Sequence, residues 1–230
     1  MKRVYLDYNA SAPLREEARE AMVHAMALAG NPSSVHAEGR QARAIVEIAR
    51  QQVAAALGAQ GADVIFTSGA TEAAGLALNG RGIRCANIEH EAVSSWCQSD
   101  LSCGSDGGVA CEAPEATALQ LANSETGILQ QLPEGLALCD MTQAFGKLPV
   151  AFHWTGATMA LVSAHKIGGP KGVGALIVKR GTEVAAQIKG GGQEMGRRSG
   201  TENVIGIAGF GAAAEAAQRD LADGVWEQVE

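Results

Sequence analysis

Short apolar runs alternate along this chain with amphipathic stretches of helical spacing, and this alternation constrains the fold most. The apolar runs predict strands at residues 4–8, 64–67, 84–88, 119–122, 136–139, 157–163 and 175–179. The amphipathic stretches predict helices at residues 15–29, 36–57, 71–78, 91–98 and from 203 towards 226. The polar residues 99–108 are interpreted as a surface loop. Strands that alternate with helices favour an α/β fold, in which a mostly parallel sheet is flanked by helices in three layers.

Composition and charge exclude several classes of partner. The 230 residues suffice for one large α/β domain, with or without a fragment of another, and aromatic residues are only 4%, so the core must be aliphatic. A net charge of −7 without a basic block argues against nucleic acid or an anionic membrane as partner. Neither an apolar run of spanning length nor a signal peptide is visible, so we expect a cytoplasmic protein. Five cysteines without a CxxC pattern predict no disulfide framework and no metal site.

Lys166 is the most informative candidate residue. It follows the apolar run 157–163 and precedes a glycine-rich loop. A lysine at the end of a buried strand suits an amine that forms a Schiff base, because desolvation lowers its pKa. A lysine taken alone in such a position is more often a solvated loop residue. The neighbouring His165 could bind a phosphate through a ring N–H.

Polar residues follow other predicted strands as well. Residues 68–72 could close backbone amides on an anion, with Ala70 and Thr71 at a helix start, although they also fit an ordinary helix cap. Asp140 ends an apolar strand, where a cationic ring nitrogen would be a natural partner and an N-cap or salt bridge is the alternative. Gln143 could contact a ring oxygen. His90 could stack on a flat ring and relay protons, or be a structural histidine.

These candidates form a coherent set. A phosphate cup, a stacking imidazole, a carboxylate for a ring nitrogen and a lysine for an aldehyde are the contacts that pyridoxal 5'-phosphate needs. Ligands of parallel sheets bind beyond the carboxyl ends of the strands, where all these residues are predicted to lie. The set therefore predicts a site for that cofactor.

The chain resembles the class V aminotransferase family, and within it the cysteine desulfurases of the NifS/IscS type. The resemblance rests on residues 5–13, 30–34, 65–72, 89–93, 140–143, 146–149, 163–175 and 190–201. It implies the fold type I of pyridoxal phosphate-dependent transferases. Residues 1–14 would form an N-terminal arm, and residues 15–230 the cofactor-binding large domain.

The resemblance also implies roles for individual residues. The catalytic residues would be Lys166, which carries the cofactor as a Schiff base, and His90, which stacks on the ring and shuttles protons. Asp140 would pair with the ring nitrogen and Gln143 with the ring hydroxyl. The phosphate would be held by Ala70, Thr71, Ser163, His165 and, across a homodimer, Thr201 of the neighbouring subunit.

Two departures from the family pattern affect these expectations. Ser124 stands where the family usually has a second asparagine that contacts cofactor and substrate. The mobile cysteine and the substrate-gripping arginine of the family's C-terminal domain have no match, so we expect the small domain to be absent or truncated and residues 1–230 alone to release almost no sulfide. Cys103, on a glycine-rich stretch, is expected to be a surface thiol, with a role as substitute nucleophile as the alternative.

Three functions remain open from the sequence. The first is a cysteine desulfurase that converts L-cysteine to L-alanine and passes sulfur on as a protein persulfide, for iron–sulfur cluster assembly or tRNA thiolation. Its partners would be L-cysteine, a second copy of the chain, and a sulfur acceptor such as an iron–sulfur scaffold or a tRNA-thiolation factor. The second is another class V enzyme, such as a selenocysteine lyase or an aminotransferase. The third is a non-catalytic protein that binds the cofactor or only dimerises.

Overall fold

A computed structural model describes residues 3–227, so the first two residues of the expected arm and the last three of the expected large domain lie outside it. The helices are α1 (Glu16–Met26), α2 (Ala37–Ala56), α3 (Ala70–Leu78), α4 (Glu91–Ser94) and α5 (Val204–Ala222). The strands are β1 (Asp63–Thr67), β2 (Arg84–Ala86), β3 (Gln98–Leu101), β4 (Ala118–Gln120), β5 (Leu138–Asp140), β6 (Met159–Ser163) and β7 (Gly174–Val178).

The central sheet has the strand order β1-β7-β6-β5-β4. β7 is antiparallel to both of its neighbours, whereas β6, β5 and β4 are parallel to one another. β2 and β3 form a parallel pair beside β4, joined to it by a parallel bridge between Arg84 and Thr117. β1, β2, β4, β5 and β6 therefore all end at the same edge of the sheet.

Helices cover both faces of this sheet. α5 packs against both α1 and α2, and Val46 of α2 and Phe210 of α5 share a buried cluster with Val162 of β6. On the opposite face, Leu78 of α3 packs in a second cluster with Leu161 of β6. Successive strand residues point to opposite faces, which is why Leu161 and Val162 belong to different clusters. The predicted three-layer α/β fold with a mostly parallel sheet is confirmed.

Several predicted elements differ from the structure. The strand predicted at residues 4–8 is wrong: residues 3–7 are irregular, and Val4 and Leu6 are 72% and 83% exposed. Residues 99–101, assigned to a loop, and Gln98, assigned to the preceding helix, form β3. The helix predicted at 91–98 is only the short α4. The last helix, predicted to run towards residue 226, ends at Ala222. Gly224, with a positive φ of 68°, follows its C-terminus.

A buried ion pair joins three separate parts of the fold. The Glu194 carboxylate accepts from Arg50 Nη1 at 2.8 Å and Nη2 at 2.9 Å, and from the Phe66 backbone N–H at 2.9 Å. It thereby ties α2 and β1 to the loop 193–196, in which Glu194 and Met195 adopt left-handed φ angles of 48° and 59°. Such strained backbone persists only where surrounding contacts impose it.

We expect Glu194→Ala to lower the free energy of unfolding by about 3 kcal/mol, because it leaves the Arg50 guanidinium and the Phe66 N–H without their buried acceptor. Glu47 makes a half-exposed ion pair with the same Arg50, so Glu47→Ala is the matched control and should cost less than about 1 kcal/mol. Urea denaturation measures both. Equal losses in the two variants would contradict this assignment.

Candidate functional site

The carboxyl-terminal edge of the sheet opens into a cleft of about 460 Å³. The predicted site residues that line it are Ala70, Thr71, His90, Ser124, Asp140, Gln143, Ser163, His165 and Lys166. Thr201 does not line it and is exposed. A volume of this size is typical of a site for a small organic ligand.

Lys166 lies in a single turn of 3-10 helix, Ala164–Lys166, directly after β6. Its Nζ donates a hydrogen bond to the Asn9 carbonyl at 2.6 Å, so the N-terminal segment passes beside the amine. Burial lowers the pKa of Lys166, while the negative charges of Asp140, Asp7 and Glu125 oppose this shift. A lowered pKa increases the fraction of free amine, which is the nucleophilic form.

The start of α3 forms one end of the cleft. Gly69 is its N-cap residue, and no side chain caps the helix there. The positive end of the helix dipole and backbone N–H groups therefore face this end of the cleft, where the Thr71 side chain also lies. A Cβ on Gly174 would lie 2.7 Å from the Gly69 backbone, so β7 passes this closely only because residue 174 is glycine.

Glu72 supports the same turn from its other side. Its Oε2 accepts from the Ser68 N–H at 2.7 Å, and its Oε1 accepts from Arg198 Nε at 2.8 Å. The hydrogen bond with the Arg198 guanidinium and those with Ser68 hold the pKa of Glu72 below its usual value against the opposing effect of burial. Glu72 therefore braces the turn before α3 without capping the helix, and Thr71 lines the cleft.

Ser163 and His165 lie beside this end. Ser163 is buried at the end of β6, and His165 Nδ1 is 3.3 Å from Ser11 Oγ. Burial lowers the pKa of His165, and the charges of Lys166, Lys171 and Lys147 lower it further. The imidazole is therefore a neutral hydrogen-bonding group among three lysines.

Asp140 lines the cleft at the end of β5 and is 8% exposed. Its Oδ1 accepts from the Thr142 N–H at 2.8 Å. Burial raises its pKa, whereas the Thr142 hydrogen bonds and the positive charges of His90 and Lys166 lower it. A carboxylate in these surroundings favours a cationic partner in the cleft, as the sequence predicted.

His90 precedes α4 and caps it. Its Nδ1 accepts from the Ala92 N–H at 3.0 Å, so a neutral ring carries its proton on Nε2. The capping bond fixes the orientation of the imidazole, which lines the cleft. The ring is thus positioned both to stack on a planar ligand and to exchange a proton through Nε2.

Gln143 and Ser124, the other two predicted residues in the cleft, are hydrogen-bonded to the N-terminal segment. Gln143 Nε2 donates to the Asn9 carbonyl at 3.1 Å, and its Oε1 accepts from Lys147 Nζ at 2.5 Å. The Asn9 side chain donates to the Ser124 carbonyl at 2.6 Å, while Ser124 Oγ donates to Glu125 at 3.2 Å. Asn9 therefore contacts three candidate residues, Lys166, Gln143 and Ser124. From the sequence, Asn9 had no role of its own and belonged only to the stretch 5–13 that carries the family resemblance.

These groups fit pyridoxal phosphate. The helix start with Thr71 and Ser163 suits the phosphate, Asp140 the ring nitrogen, and Lys166 the aldehyde carbon. None of the five cysteines lines the cleft, Cys103 included. Glu89, next to His90, is a buried carboxyl that does not line the cleft and that received no role from the sequence.

Comparison with known proteins identifies the family of the chain. Residues 4–100 and 112–228 match the family described as Aminotransferase class-V. The chain belongs to the class V aminotransferase family. Two curated relatives are a cysteine desulfurase from Frankia sp. (strain EuIK1), 41% identical over 96% of this chain, and the cysteine desulfurase IscS from Dictyoglomus turgidum (strain DSM 6724 / Z-1310), 37% identical over 94%. The chain spans 64% of the length of each, a little less than two thirds.

Solved structures of class V relatives have the same fold. A NifS-like protein from Rickettsia africae ESF-5 superposes with a TM-score of 0.89 at 32% identity, over 96% of this chain and 71% of its own. A structure described as SspA in complex with cysteine superposes with a TM-score of 0.84 at 28% identity, over 98% and 78%. The resemblance found in the sequence is thus confirmed at the level of family and fold.

Within residues 3–227, no helix is long and apolar enough to cross a membrane.

Proposed function

We propose that this chain forms the cofactor-binding part of a pyridoxal phosphate-dependent cysteine desulfurase that acts on L-cysteine. The observation that carries the proposal is the placement of Lys166 and Asp140 in one cleft, with a helix start for a phosphate beside them. A lysine of lowered pKa and a buried carboxylate match the two reactive ends of a pyridoxal ring. The names of the curated relatives support L-cysteine as the substrate.

Each residue would act on the bound cofactor in a defined way. The cofactor, when bound, supplies the electron sink that acidifies the Cα proton of an amino acid. Lys166 holds the cofactor through Nζ and then serves as the base for the Cα proton. Asp140 keeps a proton on the ring nitrogen, and His90 stacks on the ring and exchanges protons at Nε2. Thr71, Ser163 and His165, with the N–H groups at Ala70, bind the phosphate.

Removal of the sulfur atom from L-cysteine requires a thiolate that can reach the substrate in the cleft. The buried thiols Cys85 and Cys139 cannot approach the cleft, and burial raises the pKa of Cys139 well above its usual value. Cys103 lies in a loop outside the cleft, with its Sγ 3.6 Å from the Gly104 carbonyl. We therefore propose that the thiolate is brought to the cleft from another segment or chain, and that the sulfur goes on to an acceptor protein such as an iron–sulfur scaffold or a tRNA-thiolation factor.

The experiment that tests this function supplies pyridoxal phosphate, L-cysteine and a reducing thiol, and measures alanine and sulfide together. A desulfurase gives both in equal amounts. Selenide from selenocysteine without sulfide from cysteine would indicate a selenocysteine lyase. Consumption of a keto-acid acceptor without sulfide would indicate an aminotransferase. Because the thiolate is proposed to come from another segment or chain, the assay is run with and without that thiolate source, and little product is expected without it. Cofactor binding without any product even when the thiolate source is present would support the non-catalytic alternative, in which the chain only binds the cofactor or dimerises.

We also propose a two-fold homodimer in which Thr201 completes the phosphate site of the other subunit. Thr201 is exposed and follows the glycine-rich stretch 190–200, so its hydroxyl is free to reach a second chain. Thr201→Ala should leave the dimer intact and weaken cofactor binding roughly tenfold, as expected for one hydrogen bond to a charged group. Thr182→Ala, in a turn outside the cleft, is the control. Equilibrium dialysis and sedimentation measure both effects, and a monomer with full cofactor affinity would refute the proposal.

A further inference from the structure

Glu89 is a buried acidic residue that the proposed function does not use. It lies between β2 and α4, is 7% exposed and does not line the cleft. Its Oε1 accepts from the Gln120 N–H at 2.9 Å, whereas its buried Oε2 has no hydrogen-bond partner among residues 3–227. An ionised carboxylate with one bare oxygen is costly in such surroundings, and a protonated carboxyl is far less so.

The position of Glu89 couples it to Asp140. Gln120, which donates to Glu89, is the register partner of Asp140 across β4 and β5. The other titratable groups that act on Glu89 or respond to its charge are the thiols of Cys85, Cys97 and Cys139. None of these neighbours is a cation, so nothing nearby compensates a negative charge on Glu89.

The two carboxyl groups therefore differ in their preferred charge. Burial, together with the charges of Asp140 and Cys85, raises the pKa of Glu89 to about 8, and only the Gln120 hydrogen bond opposes the shift. Burial raises the pKa of Asp140 as well, but the hydrogen bonds from Thr142 and the positive charge of Lys166 oppose that shift and favour its ionised form. Two adjacent buried carboxyls do not ionise together at low cost, so the negative charge belongs on Asp140.

Glu89 also lies in the segment that carries His90. Gln120 Nε2 and Asn123 Nδ2 both donate to the Ile88 carbonyl, at 2.9 and 3.1 Å. With the bond from the Gln120 N–H to Glu89, three hydrogen bonds thus join residues 88–89 to the end of β4 and the turn after it. The residue that follows this anchored pair is His90.

We propose that Glu89 is a positioning residue whose neutral carboxyl anchors the His90 segment to β4 and leaves Asp140 as the charged member of the two buried carboxyls. The purpose of this arrangement rests on the proposed function, since a lone charge on Asp140 serves a cationic ring nitrogen. The protonation and anchoring of Glu89 are properties of the chain itself. They are measurable without cofactor.

The first test compares thermal unfolding of the cofactor-free chain and Glu89→Gln at pH 6 and pH 9. The pKa of Glu89 is about 8 in the folded chain, against about 4.3 for an unfolded glutamate. The folded state therefore keeps a proton that the unfolded state has lost, and its stability falls as pH rises from about 4.3 to about 8. Glutamine cannot lose a proton. The Tm of Glu89→Gln minus the Tm of the wild type should therefore increase by roughly 3 °C or more from pH 6 to pH 9.

The matched control is Glu91→Gln, two residues away and exposed, whose Tm difference from the wild type should not change with pH. Parallel curves for the wild type and Glu89→Gln would overturn the inference. Should the variant fail to fold, carboxyl-carbon NMR of the unaltered chain with ¹³C-labelled glutamate decides the question. A buried glutamate that titrates near pH 8 supports the proposal, and a full set of glutamates that titrate below pH 6 overturns it.

A second test addresses the cleft. Affinity for pyridoxal phosphate is measured by dialysis from pH 7 to pH 9.5 in both chains. The ratio of the wild-type affinity to that of Glu89→Gln should change with a midpoint near pH 8, since the titration of Lys147 is common to both chains and cancels. A ratio that does not change with pH would count against a link between Glu89 and the cleft. If neither chain binds the cofactor, the proposed function fails, while the unfolding and NMR results still decide the protonation of Glu89.

Discussion

Lys166→Ala is expected to abolish the visible absorption band of the bound cofactor and to slow the loss of the Cα proton by on the order of 10³-fold or more. The reason is that the variant loses both the covalent link and the base for the Cα proton. The phosphate contacts at Thr71 and Ser163 remain, so some cofactor should still bind non-covalently. Spectrophotometric titration with pyridoxal phosphate, followed by gel filtration, separates the covalent from the non-covalent fraction.

The control for this prediction is another lysine with an altered amine. Burial and the charge of Lys166 together lower the pKa of Lys147 to about 8, so Lys147 is chemically competent for the same reaction. Its Nζ, however, is held by Gln143. Lys147→Ala should therefore keep the absorption band. A band that survives in Lys166→Ala and disappears in Lys147→Ala would reverse the assignment.

Asp140→Asn is expected to slow the loss of the Cα proton by roughly 10²–10³-fold while weakening cofactor binding by less than about tenfold. Asparagine preserves the shape of the side chain and can still accept from the Thr142 N–H, but it carries no charge to keep the ring nitrogen protonated. Exchange of the Cα proton of bound amino acid in deuterated water, followed by NMR, measures this step directly.

Asp106→Asn, in an exposed loop outside the cleft, is the control and should leave the exchange rate unchanged. Equal exchange rates in Asp140→Asn and the unaltered chain would remove Asp140 from the account. A parallel loss of cofactor affinity and exchange rate would assign it a binding role only.

The sequence predicted the edge of the sheet where the site lies, because the polar clusters follow buried strands. Asp140 and Lys166 each end an apolar run, and parallel strands bring such ends together. The direction of β7 was not predictable in this way. All five residues of β7 are buried, so its apolar run does not indicate which strands it pairs with or in which direction it runs.

The errors at the edges of the fold have a common physical cause. Val4 and Leu6 have the alternating pattern of a strand, yet both are exposed and no strand of the described chain pairs with them. In β3 the reverse holds, because Gln98, Ser99 and Asp100 are exposed and only Leu101 is buried. Hydrophobic patterning reports burial, and a strand without a buried face leaves no such pattern.

Residues of the site that act through backbone atoms were also invisible to the sequence. Asn9 contacts Lys166 and Gln143 through its carbonyl oxygen, which every residue type has. Glu89 would ordinarily be placed in solvent, since acidic residues are rarely buried. Only the fold shows that Gln120 donates to it and that its second oxygen is enclosed.

The most direct test of this account is chemical trapping of the cofactor in the unaltered chain. Borohydride reduction after incubation with pyridoxal phosphate fixes the cofactor on the amine that holds it, and peptide mapping by mass spectrometry identifies that amine. The account predicts a single modified lysine, Lys166. A label on Lys147 or on Lys171, which also lines the cleft, or no label at all, would contradict it.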